Sequence, residues 1–291
     1  MTMKKSPRAV CLALSLSVIV GAAVQVSGCR AVPGTGRTQL SLISDSELDA
    51  SASQQFGEMK KTQKVSKDAA MNACLKRVGA RIVAEARKVD GSLPPFEQWE
   101  FVVFDDPSVN AFAMPGGKVA FYTGIFPLMT SDDEVAVVMG HEVAHILCRH
   151  GNERVSQQLL AQGGAAVAGA LSNAYVKNEN LRTAIMLGYG AGAQYGGILR
   201  YSREHEKEAD RLGLTLSAKA GYDPQLAVHF WEKMSAGGAQ PYEFLSTHPS
   251  GATRIAELNA LMPSVLAEYR KARDAGAPAG QKLSFTAVKA K

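Results

Sequence analysis

Hydrophobic and polar positions follow a helical period over most of the 291-residue chain, and a β pattern only near its middle. In residues 66–88 the apolar side chains recur on one face, which predicts an amphipathic helix. Residues 99–106 predict a strand, and residues 109–126 predict a turn followed by a second β segment. From Ser131 the helical period returns and continues almost to the end. The pattern predicts one mostly helical domain, residues 46–273, with a small sheet.

Residues 163–199 form two apolar, glycine-rich halves on either side of the polar segment VKNENLR. Each half is shorter than the ~20 residues that a membrane-spanning helix needs. We therefore expect a mobile helical hairpin beside the core. A hairpin that dips into a membrane is the alternative.

The N-terminal region has the three-part pattern of an exported precursor: a basic start, an apolar run and a small-residue end. The end, Val26-Ser27-Gly28-Cys29, resembles a lipobox. Residues 1–28 are expected to be a lipoprotein signal peptide, with lipid on Cys29, and residues 29–45 a tether. A plain signal peptide or a single anchor helix is the alternative. Residues 274–291 are expected to be a disordered tail.

The net charge and the cysteines indicate which partners and which disulfides to expect. Loss of residues 1–28 removes three basic residues and no acidic one, so the formal net charge falls from +5 to +2. No cluster of Lys and Arg with interleaved aromatics is present, so nucleic acid is not an expected partner. Cys74 and Cys148 are expected to be buried thiols. A disulfide between them, formed in an oxidising compartment, is the alternative.

Residues 140–150, GHEVAHILCRH, carry the chemistry. On a helix each residue turns about 100°, so His141 and His145 differ in direction by about 40° and can reach one ion. Glu142 lies off that line, where it can hold a water molecule. The spacing predicts zinc and a general base. The alternative is a buried helix with hydrogen-bonded histidines.

The third ligand is not next to the motif. His150 lies about 180° around the helix from His141, so we expect it to face away, at the surface or against another helix. Cys148 is on the correct face but roughly 10 Å along the axis, which is too far for one ion on a straight helix.

Residues 202–213, SREHEKEADRLG, provide a better candidate. Glu206 and Asp210 are one helical turn apart, so Glu206 can bind zinc while Asp210 accepts a hydrogen bond from a ligand histidine and fixes its tautomer. Glu208 points to the other side of that helix. The alternative is a solvated, charged helix.

The segments HEVAH, EKEAD and STHPSGATR, in this order, resemble metallopeptidase family forty-eight, which includes the CAAX-prenyl endopeptidases. The similarity covers roughly residues 30–265, and NAFAMPGG and VPGTGRTQLSLIS fit its periplasmic lipoprotein branch. The resemblance implies an α+β, mostly α, zincin-like (gluzincin) fold with a small sheet beside the active-site helix.

The resemblance also implies roles outside the ligand set. His248 and Arg254 match the H-P-x4-R segment of the family, which places His248 at the metal and Arg254 behind it. His248 either stabilises the oxyanion or blocks the open zinc position, and a capping role at a turn is the alternative. An edge strand that receives substrate would include Asn110, Ala111, Phe112 and Ala113. An ordinary hairpin is the alternative there.

Together these features predict a zinc endopeptidase with one Zn²⁺ per subunit, lipid-anchored to the periplasmic face of the outer membrane. Its expected substrates are unfolded or misassembled envelope proteins, and the outer-membrane assembly machinery is a further expected partner. A latent, zinc-stabilised chaperone or assembly factor is the main alternative, against which Glu142 argues because a pure binder needs no base. A membrane-embedded prenyl-protein peptidase is a third, and the lack of long apolar spans argues against it.

Substitution of Cys29 tests whether the protein is anchored to a membrane by a lipid. Cys29→Ser removes the thiol that would take the lipid, so the variant should accumulate as unprocessed precursor or as soluble protein. Membrane fractionation and mass spectrometry of the mature N-terminus provide the measurement. Arg30 is not the aspartate that retains lipoproteins in the inner membrane, so wild-type protein should fractionate with the outer membrane. Identical fractionation and mass for wild type and variant would exclude lipidation at Cys29.

Overall fold

The computed structural model describes residues 28–161, 202–236, 244–245, 248 and 253–283. The expected signal peptide (except Gly28) and the expected hairpin of residues 163–199 lie outside the described residues. Within the described part, no helix has the length and apolar character needed to cross a bilayer.

The described residues form seven α-helices and five strands. The helices are α1 Asp45–Thr62, α2 Ala69–Val89, α3 Asp132–Leu147, α4 His150–Ala161, α5 Arg203–Lys219, α6 Leu226–Ser235 and α7 Arg254–Asp274. The strands are β1 Cys29–Ala31, β2 Thr38–Leu40, β3 Glu100–Phe104, β4 Ala111–Met114 and β5 Lys118–Tyr122. Two short 3₁₀ segments, Phe96–Gln98 and Thr123–Leu128, flank the second group of strands.

The main sheet has three strands in the order β3-β5-β4. Strand β3 is parallel to β5, whereas β4 is antiparallel to β5 and lies at the edge. One face of the sheet packs on α2 and α3, and the other packs on α1. The expected α+β, mostly α fold with a small sheet beside the active-site helix is confirmed.

Helices α3 and α5 cross at two glycines. A Cβ atom built on Gly140 would lie 2.5 Å from the carbonyl oxygen of Gly213, and one built on Gly213 would lie 2.6 Å from the backbone nitrogen of His141. Only hydrogen fits at both positions, so the two backbones approach within direct contact. This crossing places the metal-binding motif of α3 against the acidic segment of α5.

Residues 29–40, expected to belong to a tether, instead form a folded hairpin. Strands β1 and β2 pair antiparallel, and the turn between them uses Gly34 and Gly36 at φ +75° and +74°. Val32 is buried against α3 and α5, which explains why the segment is ordered although its composition is polar. Cys29 lies at the exposed start of β1.

The expected disorder of residues 274–291 is wrong for residues 275–283. The backbone of Asp132 donates a hydrogen bond to the Gln281 carbonyl, and the backbone of Leu283 donates one to the Thr130 carbonyl. These bonds satisfy amides and carbonyls at the start of α3, where the N-cap residue Ser131 makes no side-chain cap. Residues 284–291 lie outside the described part.

Cys74 and Cys148 are free, as expected for buried thiols. The Cys74 thiol donates to the Asp132 carboxylate, whereas Cys148 packs in a separate cluster with Val32. The two residues therefore lie in different parts of the core, and the alternative of a disulfide is wrong.

The close crossing predicts that an added methyl group destabilises the protein at Gly213 but not at a glycine outside the crossing. Gly213→Ala should lower the free energy of unfolding by about 1–3 kcal/mol, because the methyl group meets backbone atoms that cannot rotate away. Gly57→Ala is the matched control: Gly57 is also helical, its Cβ would meet nothing within 4 Å, and the change should stabilise by about 0.5–1 kcal/mol. Urea unfolding followed by circular dichroism provides the measurement. Equal effects of the two substitutions would contradict the proposed close crossing.

Candidate metal centre

Helix α3 brings His141 and His145 together, as the four-residue spacing predicts. Their Nε2 atoms are 3.1 Å apart, and both side chains are almost fully buried. Apart from Glu142, the residues of α3 near them are apolar, and α3 is buried on nearly every face. The histidines are thus held inside the protein by packing.

Helix α5 and the residue His248 supply the remaining groups of the cluster. Glu206 Oε1 lies 3.5 Å from His145 Nε2, and Glu206 Oε2 lies 3.5 Å from His141 Nε2. His248 Nδ1 lies 3.1 Å from both His141 Nε2 and Glu206 Oε1. One ligand atom from each of the four side chains falls within 4.8 Å of the others.

The donor set fits a zinc ion. Around a tetrahedral ion with bonds of about 2.0–2.1 Å, neighbouring ligand atoms lie about 3.3 Å apart. The observed separations of 3.1–3.5 Å between the Glu206 oxygens and the ring nitrogens match that value. Imidazole nitrogens with one carboxylate are common ligands of zinc. Within the described residues, the buried Glu206 Oε2 has no hydrogen-bond partner, and a cation would satisfy it.

Asp210 and Arg254 lie behind His141. Asp210 Oδ1 is 3.0 Å from His141 Nδ1, and Arg254 Nη2 donates a 2.5 Å hydrogen bond to the same oxygen. Arg254 also stacks 3.3 Å from the centroid of Trp231. With Asp210 as acceptor, a neutral His141 would carry its proton on Nδ1 and offer Nε2 to a metal; this is the arrangement that the sequence predicts for Asp210.

Burial and neighbouring charges set the protonation states. Burial opposes protonation of His141, but the charge of Glu206 and the hydrogen bond with Asp210 outweigh it and raise the His141 pKa to about 9. Burial lowers the pKa of His145 well below its usual range and that of His248 to about 4. Burial also opposes ionisation of Glu206, yet the nearby His248 and His141 hold its pKa well below its usual range. His145, His248 and Glu206 are therefore in the forms that bind metal, whereas His141 carries a second proton that a bound cation would displace.

Glu142 lies beside the cluster and does not point into it. Its Oε1 is 3.4 Å from His248 Nε2, and the carboxylate faces the backbone N–H of Ala113, which favours its ionised form. Burial raises the Glu142 pKa to about 8. A divalent cation in the cluster would favour the ionised form, because an opposite charge within a few ångströms lowers a carboxyl pKa.

The outer edge of β4 faces this carboxylate. The Tyr122 backbone N–H donates to the Asn110 carbonyl, so Asn110 belongs to a hydrogen-bonded pair with β5. Alternation along an antiparallel strand then turns the peptide groups of Ala111 and Ala113 away from β5. The side chains of Asn110, Ala111, Phe112 and Ala113 are all buried. The structure thus places the predicted substrate strand next to Glu142.

His150 departs from the expectation in part: it contacts another helix through Glu208 of α5, as one option predicts, but it does not face away from the motif. Helix α3 ends at Leu147, and Arg149 adopts a left-handed conformation with φ 56°, so the chain turns before α4 begins at His150. The prediction that His150 faces away assumed one straight helix. Instead, His150 is fully buried and its Nδ1 lies 2.8 Å from His145 Nδ1. The residue pair Arg149-His150 carried no sequence signal of this turn, since arginine rarely takes positive φ.

Comparison with known proteins places this fold and site in a class of metallopeptidases. The model of the family described as Peptidase family M48 matches residues 69–262. The match covers more than half of the chain, so the chain belongs to this family. The family expected from the three sequence segments is therefore confirmed.

Curated relatives share the same region. The mitochondrial metalloendopeptidase OMA1 of Saccharomyces cerevisiae is 34% identical over 211 residues, which cover 68% of this chain and 57% of the relative. The human mitochondrial metalloendopeptidase OMA1 is 30% identical over 79% of this chain and 44% of its own length. The beta-barrel assembly-enhancing protease of Escherichia coli is 29% identical over 65% of this chain and 38% of its own length. The chain thus spans about half the length of these relatives or less.

The candidate ligand set predicts which acid controls the metal content. Glu206→Gln removes a negative charge from the cluster and should reduce bound zinc strongly. Glu204→Gln is the control, because Glu204 lies on the same helix but is exposed. Elemental analysis of purified protein measures zinc per chain. A wild-type zinc content in Glu206→Gln would exclude Glu206 as a ligand.

Proposed function

We propose that this protein is a zinc-dependent endopeptidase of the cell envelope that uses Glu142 as its general base. The observation that carries the proposal is the convergence of His141, His145 and Glu206 on one buried point, with the Glu142 carboxylate beside it. Membership of family M48 and similarity to named metalloendopeptidases support it.

The chain's own residues perform the proton transfers. When bound, zinc would polarise the scissile carbonyl and lower the pKa of an attacking water toward ~7. Glu142 accepts the proton of that water and donates it to the leaving amine. The backbone N–H of Ala113 faces the carboxylate and favours its ionised form, in which it can accept a proton. The exclusion of solvent by the apolar faces of α3 strengthens each of these interactions.

The edge of β4 is the proposed substrate strand. Ala111 and Ala113 direct their peptide groups away from β5, so an extended peptide can add to this edge by backbone hydrogen bonds. Backbone pairing is independent of side chains, which suits substrates as varied as unfolded proteins. Ala113 belongs to this strand and its N–H faces Glu142, so the scissile bond of a peptide on this edge would lie close to the base.

His248 has the position of a blocking group. Its Nδ1 lies among the ligand atoms, and its Nε2 lies 3.4 Å from Glu142. In this place His248 would hold the zinc ion as a fourth ligand, and its Nε2 lies beside the base. This geometry favours the blocking role over oxyanion stabilisation, because a group that stabilises an oxyanion leaves the water position open.

The envelope assignment rests on the N-terminal pattern and on one bacterial relative. We propose attachment to the periplasmic face of the outer membrane through lipid on Cys29, with unfolded or misassembled envelope proteins as substrates. The beta-barrel assembly-enhancing protease of Escherichia coli supports this choice by name. The outer-membrane assembly machinery is the proposed partner.

Substitution of the base tests the mechanism. Glu142→Gln keeps the size of the side chain but cannot accept a proton, so cleavage of casein should fall by about 10²–10⁴. Bound zinc and the thermal midpoint should stay near the wild-type values. Undiminished cleavage by Glu142→Gln at equal zinc content would contradict the mechanism. Absence of cleavage by wild type under every condition would favour the chaperone alternative.

Removal of His248 separates its two roles. His248→Ala should increase casein cleavage, because the imidazole no longer fills the metal position or pairs with Glu142. Cleavage is compared with wild type at matched zinc content, and Glu142→Gln/His248→Ala serves as the inactive control. Decreased cleavage by the single variant would assign His248 to oxyanion stabilisation.

A further inference from the structure

The second motif histidine, His145, has a buried support that differs from that of His141. His141 contacts a carboxylate directly, whereas His145 Nδ1 contacts another imidazole, His150 Nδ1, at 2.8 Å. His150 Nε2 then lies 2.9 Å from Glu208 Oε2. The carboxylate therefore acts on His145 through an intervening ring.

An arginine from the N-terminal hairpin completes this chain of contacts. Arg37 Nε and Nη2 donate hydrogen bonds of 2.8 and 2.9 Å to the two Glu208 oxygens. Arg37 also donates two hydrogen bonds to Glu153, which in turn lies 2.9 Å from His205 Nε2. One guanidinium thus holds two buried carboxylates in bidentate geometry, the strongest form of this pair.

The hairpin is shaped to deliver that guanidinium. Val32 anchors it between α3 and α5, and the Val32 backbone N–H donates to the Arg37 carbonyl at 2.7 Å. Gly34 and Gly36 take the positive φ values that close the turn. Arg37 belongs to a segment that lies before the region matched by the family model, which begins at residue 69.

The contacts allow only one arrangement of protons if His145 binds metal through Nε2. Its Nδ1 then carries the hydrogen and donates to His150 Nδ1, which must be an acceptor. His150 Nε2 consequently carries a hydrogen and donates to Glu208. Glu208 accepts that hydrogen, and Arg37 holds both of its carboxylate oxygens by hydrogen bonds.

We infer that Arg37, Glu208 and His150 form a relay that fixes the tautomer and orientation of His145 and so raises the affinity of the site for zinc. The inference rests on the proposed metal site. The three are positioning residues, since none touches the cluster of ligand atoms. Outer contacts of this kind typically change metal affinity by about 10–100-fold.

Zinc affinity of the purified full-length mature protein, measured by competition with a chelator, tests the relay. Arg37→Met should weaken zinc binding by about 10–100-fold, since the side chain keeps its length but loses every donor. Arg30→Met is the matched control, because Arg30 lies in the same hairpin but pairs with Asp45 at the exposed surface. Wild-type affinity in Arg37→Met would overturn the relay.

Two changes at His150 distinguish a relay from simple packing. His150→Phe keeps a ring but offers no acceptor to His145, so zinc binding should weaken by about 10–100-fold. His150→Gln restores an acceptor oxygen and should recover a large part of the affinity, although it fills the space less well. Equal weakening by both, or greater weakening by His150→Gln, would assign His150 to packing alone.

A spectroscopic measurement reads the tautomer without activity. The chain has six histidines, so ¹⁵N-histidine labelling of the zinc-loaded protein gives few ring signals. His145 should show a protonated Nδ1 in wild type and lose that single form in Arg37→Met. A wild type that binds no zinc would remove the metal proposal itself, whereas zinc binding with unchanged His145 signals in the variant would remove only the relay.

Discussion

The crossing of α3 and α5 at Gly140 and Gly213 is the contact on which the site depends. With hydrogen atoms as the only side chains at the crossing, the two backbones touch, and the motif histidines of one helix come within 3.5 Å of Glu206 on the other. The next turn of α5 places Asp210 against His141. A larger residue at either glycine would separate the helices and so the ligands that they carry.

A second constraint is electrostatic, because the crossing buries several ionisable groups. Three acids near the cluster pair with arginine: Asp210 with Arg254, and Glu208 and Glu153 with Arg37. Burial favours the neutral form of a carboxyl group that lacks such a partner, and the neutral form is a weaker acceptor for a histidine N–H. Arg254 Nη1 also lies 3.5 Å from Glu206 Oε2, whereas Glu142 has no arginine within ion-pair distance among the described residues. Glu206 and Glu142 are the two acids assigned to metal and water.

Much of this arrangement was predictable from local spacing. The four-residue period of His141 and His145, and of Glu206 and Asp210, predicts which side chains share a helical face. The pattern of residues 99–126 predicted the sheet, and the order of three segments predicted the family. Each of these features depends on neighbours in sequence, which the period of a helix or a strand brings together.

Features that depend on a single backbone angle or on distant contacts were not predictable in this way. The left-handed Arg149 turns His150 inward, against an extrapolation along a straight helix. Arg37 lies 171 residues from Glu208, in a segment whose glycines and threonines indicated a tether. Residues 275–283 are ordered by hydrogen bonds to the start of α3, and composition does not report such bonds.

We propose that His141, His145 and Glu206 bind zinc inside the protein, with His248 as a fourth ligand. X-ray absorption at the zinc edge of the isolated wild-type protein tests this most directly. The account predicts one zinc per chain with three imidazole nitrogens and a carboxylate oxygen at about 2.0–2.1 Å. A sulfur ligand at about 2.3 Å, or protein purified without zinc that does not take it up, would contradict the account.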